Sequence, residues 1–356
     1  MFVWAMRDKG SEWRAVRKLL ERGDLPFTPL VEAVCEPYMP REGEDAENPI
    51  RVMGELGGKL ALLSTSGRAW VDLGHLLLRF SDHDVAELHA VVRESVGIGS
   101  RSVIPVIRTS SPSVIMEAAF VWAHDSGSGI CVRVDGVTHL ADKAESVRSI
   151  VAASGHAPGE IDLIVDAQDL PRAASFEALR DHFPLSQVAR NWVVLAGTFP
   201  SSITEMKPED YEHIRERGEW SAWRDEMAHD VGSWRRPQYG DYATQPPVYV
   251  PSLPFLGSPS VRYTTTESFV VLRGRAGSPG KPTDFTQFIG HARYLRRQPY
   301  YRQTVDTLGD DYADWIASGT NGTGNLTTWR VASLHRHLGV VAQQVVEFAP
   351  AAASSR

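Results

Sequence analysis

Short apolar runs in this chain repeatedly end on a charged side chain. Asp72, Asp135 and Asp166 each end such a run, Glu32 lies near the end of the second, Arg108 follows the fourth and Arg133 stands at the end of the fifth. A carboxylate there leaves a core face and meets solvent. Like-charged neighbours then raise one pKa enough for acid–base work. Arginines at the same level can fork onto a phosphate or carboxylate. The chemistry expected is a hydrolase or lyase reaction, phosphodiesterase-like, on an anionic ligand such as a nucleotide. Asp72, Asp166, Asp241 and Glu32 are the candidates for acid–base work or for ligating Mg or Mn. Lys9, Arg108, Arg133, Tyr242, Arg262 and Arg273 are the candidates for binding the ligand. On this reading Asp72→Asn or Arg133→Ala removes function and leaves thermal stability nearly unchanged. A competing reading is that these acids and bases only pair with one another or with helix N-termini.

Several chemistries lack their residues. No His-x-His follows the first strand, no Gly-x-Ser-x-Gly elbow occurs, and no phosphate loop of the Gly-x-x-x-x-Gly-Lys-Ser/Thr type is present. His335 and His337 lie two apart on an expected helix, so they point in nearly opposite directions and cannot share a metal. His75, just after the third strand, is the histidine placed near the candidate site. Trp220, Trp223 and Trp234 read as core, or alternatively as a stacking surface with Arg224, Arg235 and Arg236.

The elements that must position these residues alternate in type. Strands are expected at Phe2–Met6, Phe27–Val34, Ala69–Leu73, Ser102–Ile107, Ile130–Val134, Ile161–Val165 and Trp192–Ala196, with an amphipathic helix after each of the first six. Pro105 is awkward inside the fourth, because proline donates no ladder hydrogen bond. The segment 208–234 reads as helical, and an eighth strand is placed near Gln238–Ala243. Such alternation suits a TIM-type (β/α)8 barrel, whose site lies at the C-terminal strand ends. An open doubly wound sheet is the alternative, but Arg7-Asp8-Lys9-Gly10-Ser11 is not its Gly-rich first turn. Residues 36–49 and 245–259 read as loops. The whole chain is taken as one barrel domain carrying an inserted or appended segment at about 245–325, with a hairpin from Ser260–Thr265 and Glu267–Arg273 and a last helix, Leu326–Phe348.

Composition narrows the class. With 42% hydrophobic and 23% charged residues among 356, the chain can build a sizeable core, so disorder is not expected. A net charge of -7 gives no global field for nucleic acid or anionic membranes. No apolar stretch approaches a membrane span, and Met1 to Trp4 leads into charge without a signal-peptide pattern, so the cytosol is the expected compartment. Cys35 and Cys131 are too far apart in sequence for a metal-ligand spacing, and no disulfide scaffold is expected.

The C-terminal third carries a family resemblance. Glu219-Trp220, Trp223, Gln238-Tyr239-Gly240-Asp241-Tyr242, Val261-Arg262-Tyr263, Phe269-Val270-Val271, Arg273-Gly274-Arg275 and Gln287 resemble the pattern of the phage beta-protein family, named after a T-even phage product. Lys9, Glu12 and Pro29-Leu30-Val31-Glu32 agree with the opening of that family, and Trp329-Arg330 and 335–338 match more loosely, with Arg336 between two histidines that the family often has adjacent. The resemblance implies a barrel and a setting in phage conflict or antiviral defence. It assigns no reaction. In the Gly240-Asp241-Tyr242 triplet, Asp241 either projects at the eighth strand end or accepts backbone N–H bonds in a turn. The opposing functional expectation is a non-enzymatic module binding a protein partner through the hairpin and the Trp-rich segment, with Arg235 and Arg236 at the contact.

Overall fold

The structure is a computed structural model describing residues 2–23, 25–34, 49–97, 101–168, 175–229, 234–249, 257–278 and 280–348. Eight parallel strands close into a barrel: β1 (Phe2–Arg7), β2 (Phe27–Glu32), β3 (Ala69–Asp72), β4 (Val103–Arg108), β5 (Ile130–Asp135), β6 (Ile161–Gln168), β7 (Asn191–Ala196) and, returning to β1, β9 (Gln238–Asp241). The chain is therefore a TIM-type barrel, and the open-sheet alternative is set aside. Side chains alternate between two environments. Val3, Ala5, Leu30, Trp70, Ile104, Val106, Cys131, Ile164, Val193 and Leu195 fill the interior, while Phe2, Trp4, Met6, Val71, Val132 and Leu163 pack outward against the helices. Pro105 sits inside β4 opposite Val71, and the register with β5 begins one residue later, at Val106 and Cys131.

The covering helices are α1 (Gly10–Leu20), α2 (Pro49–Ser64), α3 (Asp82–Val96), α4 (Ser113–Ser126), α5 (Leu140–Ser154), α6 (Phe176–His182) and α7 (Gly218–Ala228). Local sequence sets their ends. Ser81 and Asp84 form a reciprocal capping box at the start of α3, and Gly127 and Gly155 end α4 and α5 in the left-handed conformation. The eighth covering helix is α10 (Leu326–Phe348), which packs on β1 and α1; its Val331, Leu334, Leu338, Val341 and Val345 join the main core. Between β9 and α10 lie β10 (Ser260–Thr264), β11 (Ser268–Arg273), α8 (Gln287–Leu295) and α9 (Leu308–Ala317), with a core of their own around Val261, Tyr263, Leu272, Phe288 and Trp329.

The expected hairpin gains a third strand. β8 (Glu212–Glu216) pairs antiparallel with β11, giving the order β10-β11-β8. This corrects the helical reading of 208–234, of which only α7 is helix among the described residues. The run Glu212-His213-Ile214-Arg215-Glu216 lies at a sheet edge with its last three residues exposed, so no buried face imprints a period on it.

Candidate active site at the barrel mouth

Each of the first six strands ends, or nearly ends, on a charged side chain that faces the barrel axis. Arg7, Glu32 and Asp72 are level on β1, β2 and β3, and Arg108 and Arg133 are level on β4 and β5. Asp166 comes from β6 and Tyr242 from the residue after β9. A bulge between Asp166 and Gln168 turns the end of β6, with Gln168 at φ 50°, and its backbone N–H donates to Asp166 Oδ1 at 3.2 Å.

Arg133 is the hub of this layer. Its Nη1 lies 2.6 Å from Asp72 Oδ2 and 2.8 Å from Glu32 Oε1, and its Nη2 donates to Asp166 Oδ2 at 2.7 Å and to the Tyr242 hydroxyl at 2.8 Å. Tyr242 in turn donates to Asp166 Oδ2 at 2.6 Å. All five side chains are buried. Arg108 forks its Nε onto both oxygens of Asp72, at 2.9 and 3.0 Å, and lies 3.9 Å from Asp135. Gly74 lets Arg108 take this path, because a Cβ there would stand 2.4 Å from Arg108 Nε. Its backbone N–H also donates to Asp72 Oδ1 at 2.8 Å.

Toward the rim, His75 Nε2 stands 3.3 Å from Glu32 Oε1, and Arg7 Nε stands 3.6 Å from Glu32 Oε2. Tyr249 gathers three of the rim groups. The Arg7 guanidinium is 5.2 Å, the Lys9 ammonium 5.5 Å and the His75 ring 5.1 Å from its ring centre. Gln245 accepts from Arg7 at 3.2 Å and donates to Glu12 at 2.5 Å, tying the chain after β9 back to the first strand.

These contacts decide protonation. Burial alone would raise Glu32, but the Arg133 guanidinium, with His75 and Arg7, overrides it and holds Glu32 well below the usual carboxylate range. For Asp72 burial is likewise outweighed, by Arg108 and Arg133, and its pKa falls to about 2. Burial pushes the Tyr242 phenol well up, against the pull of Arg133, so it stays a hydroxyl donor. A depressed carboxylate stabilises the fold above its unfolded pKa and loses that contribution as pH falls through the folded value. Asp72 is expected to contribute about 2 kcal/mol near neutrality, lost between about pH 4 and 2. Urea unfolding of the wild type and Asp72→Asn across that range checks this: the variant should show the shallower acid dependence. This replaces the expectation of unchanged stability in Asp72→Asn.

The structure thus brings together Glu32, Asp72, Asp166, Arg108, Arg133 and Tyr242, with Lys9 at the rim. Arg133 is not open to a ligand as expected, since both its Nη groups are held by carboxylates and Tyr242. Asp241 faces the other way. Strand alternation turns Gly240 and Tyr242 inward and Tyr239 and Asp241 outward, where Asp241 accepts from the Tyr239 hydroxyl at 2.9 Å, lies 2.8 Å from His337 Nε2, and accepts the Ala243 N–H at 3.0 Å. That is the turn reading of the triplet. Arg262 donates to the Thr244 carbonyl at 2.6 Å and stacks 4.7 Å from Phe199, beside the mouth but outside its ring. Arg273 pins the segment after β7 through the carbonyls of Thr204, at 2.8 Å, and Met206. Its place in the added sheet keeps it from the mouth. Cys35 and residues 36–48 of the expected first loop lie outside the described residues.

Sequence reasoning missed Arg7, Gln245 and Tyr249. For Arg7 the signal was present: Val3, Ala5 and Arg7 share one parity, and the last of them must meet the mouth. The three carboxylates converge on a guanidinium rather than on an open centre. Among the described residues no group of three or more His, Cys, Asp or Glu side chains is arranged to hold a metal ion. At the opposite end of the barrel Asp162 accepts from Trp70 Nε1 at 2.6 Å, Arg190 Nη2 at 2.7 Å and Asn191 at 2.8 Å, a buried network that closes the floor.

The arrangement of outward and inward residues in β9 falls in the segment that suggested kinship from sequence. Residues 4–343 match the protein family described as Beta protein. The chain belongs to the Beta protein family. Comparison with curated proteins and with solved structures gave no match. The Beta protein match covers the barrel strands, the added sheet and most of α10, so the mouth and the inserted segment both fall within the family's extent.

Proposed function

We propose that the barrel mouth binds a small anionic, phosphate-containing ligand and acts on it by hydrolase or lyase chemistry, in the cytosol. The observation that carries this reading is Arg108: its Nη2 is buried without a hydrogen-bond partner, while Nε is anchored on Asp72. An anchored guanidinium with one edge unused is a preorganised anion contact. Lys9 adds a second positive charge at the same rim. His75 is the proton carrier in this reading, since Glu32 and Asp72 are held ionised and Glu32 Oε1 lies 3.3 Å from its Nε2. This shifts the acid–base role from Asp72, Asp166 and Glu32 to His75, with the carboxylates as its electrostatic frame.

Inorganic phosphate and bis(4-nitrophenyl) phosphate test the assignment. Phosphate is expected to raise the melting temperature of the wild type and not of Arg108→Ala. His75→Ala should keep that shift and lose diester turnover by about a hundredfold or more. A shift of equal size in wild type and Arg108→Ala would remove the mouth as the anion site.

The alternative, a non-enzymatic partner-binding module in a phage-conflict or defence complex, has less surface than the sequence suggested. Trp220 and Trp223 are buried and stacked at 5.6 Å, and Arg235 is engaged by the carbonyls of Ala189 and Arg190. Trp234 and the hairpin remain for it, with Trp234 41% exposed.

A further inference from the structure

A second basic site lies outside the barrel, where α1, α9 and α10 meet. A cavity of about 290 Å³ opens there, edged by Arg14, Arg17, Lys18 and Glu21 of α1 and its following residue, and floored by Leu308, Tyr312, Val331 and Ala332. Arg14, Arg17 and Lys18 fall on one helical stripe at spacings of three and four. They make no ion pair or side-chain hydrogen bond among the described residues, although the chain carries 44 acidic against 37 basic residues. Three unneutralised cations on one stripe of an acidic protein need a reason.

The rest of the cavity says what kind of ligand suits them. Tyr312 is held by its hydroxyl, 3.0 Å from Thr328 Oγ1, and by edge contact with Trp329, so its ring is a fixed wall. His335 Nε2 lies 3.1 Å from the Ala15 carbonyl; a carbonyl cannot donate, so Nε2 carries the proton and Nδ1 is an acceptor. Burial lowers its pKa to about 4, so the ring is neutral near pH 7. Glu21 supplies a carboxylate acceptor at the edge. Cations, an apolar floor, an aromatic wall and two acceptors together match a molecule with a phosphate, an apolar ring and hydroxyl or amino donors.

We propose that this cavity binds a nucleotide, its phosphate against Arg14, Arg17 and Lys18 and its base over Tyr312 and the α10 floor. The site is separate from the mouth, and the inference does not rest on the mouth's activity. A cavity near the lower limit for small-molecule sites favours a nucleotide over an acidic peptide.

Calorimetric titration with AMP, adenosine and inorganic phosphate tests it, in an Arg108→Ala background so that the mouth is silenced. AMP is expected to bind about tenfold or more tightly than either phosphate or adenosine, since only AMP engages both halves. Arg14→Glu with Lys18→Glu, both exposed and remote from the core, should weaken AMP by about tenfold or more and leave the circular dichroism melt unchanged. Equal affinity for AMP and phosphate, AMP binding that survives the double charge reversal, or tighter binding of an acidic decapeptide than of AMP would each overturn the proposal.

Discussion

Arg133→Met is expected to destabilise the protein by about 3–5 kcal/mol at pH 7, the cost of leaving buried carboxylates without their cation. Three acids, Glu32, Asp72 and Asp166, touch this one guanidinium, and all are buried. Methionine fills the volume but returns no charge, so the acids repel one another and their pKa values rise. The sign with pH follows. As pH falls toward 4 the acids of the variant take up protons and stop repelling, so the gap between variant and wild type should narrow. Urea unfolding at pH 7 and pH 4 measures both effects. Arg108→Met is the control, because Asp72 keeps Arg133 and Arg108 lies at the partly open rim, so its loss should be smaller. A deficit below about 1 kcal/mol for Arg133→Met would mean that the layer is solvated and the hub is not one.

The same geometry divides labour at the mouth. Arg7, Arg108 and Arg133 face Glu32, Asp72 and Asp166, so the buried layer is close to neutral and can be packed without a large self-repulsion. Neutrality is reached by pairing, which uses up most of the groups that sequence reasoning assigned to the ligand. What remains for chemistry is the upper edge: the unused Nη2 of Arg108, and His75 against Glu32. A carboxylate held ionised at pH 7 cannot give a proton to a leaving group, whereas an imidazole can, and this is why His75 rather than Asp72 carries the acid–base role in the proposed reaction.

The barrel was legible because its strands are buried on both faces. Runs such as Ile130-Cys131-Val132-Arg133-Val134 and Ile161-Asp162-Leu163-Ile164-Val165 are marked by β-branched content, and the helices between them by apolar spacing. Which side of a strand a charge faces was harder to read. Asp72 and Asp241 each stand at a strand end, yet one enters the ring and the other turns out to His337, since a one-residue difference in parity reverses the face. Parity is fixed by pairing across the whole closed sheet, and Gly240 hides it by offering no side chain to either layer. β8 was illegible for a related reason. An exposed edge strand keeps no apolar face, and its charges look the same at either period. Tyr249 and Gln245 reach the mouth from a connection without periodicity, so their contacts with Arg7 have no trace in local pattern.

Arg336→Ala is expected to cost about 3–5 kcal/mol as well, but to open a different part of the molecule. Its buried guanidinium joins three separate segments: Nε donates to the Thr264 carbonyl at 3.0 Å, Nη1 to the Val305 carbonyl at 2.6 Å and to Asp310 Oδ2 at 3.1 Å, and Nη2 to the Gln303 carbonyl at 2.7 Å. It also stacks 4.6 Å from the Tyr263 ring. Removal takes the guanidinium from the buried carboxylate of Asp310, which keeps only the neutral donors Tyr263 and Thr307 among the described residues, and takes the side-chain donor from the Thr264, Val305 and Gln303 carbonyls, the last of which keeps the Val305 N–H. α10 itself stays, because Leu334, Leu338 and Val341 are rooted in the barrel core. Hydrogen exchange should therefore report faster opening in β10, α9 and residues 299–307, with β1 to β7 keeping wild-type protection. Uniform loss of protection across the barrel strands would show instead that the inserted segment and the barrel unfold as one unit, and that Arg336 guards the whole fold.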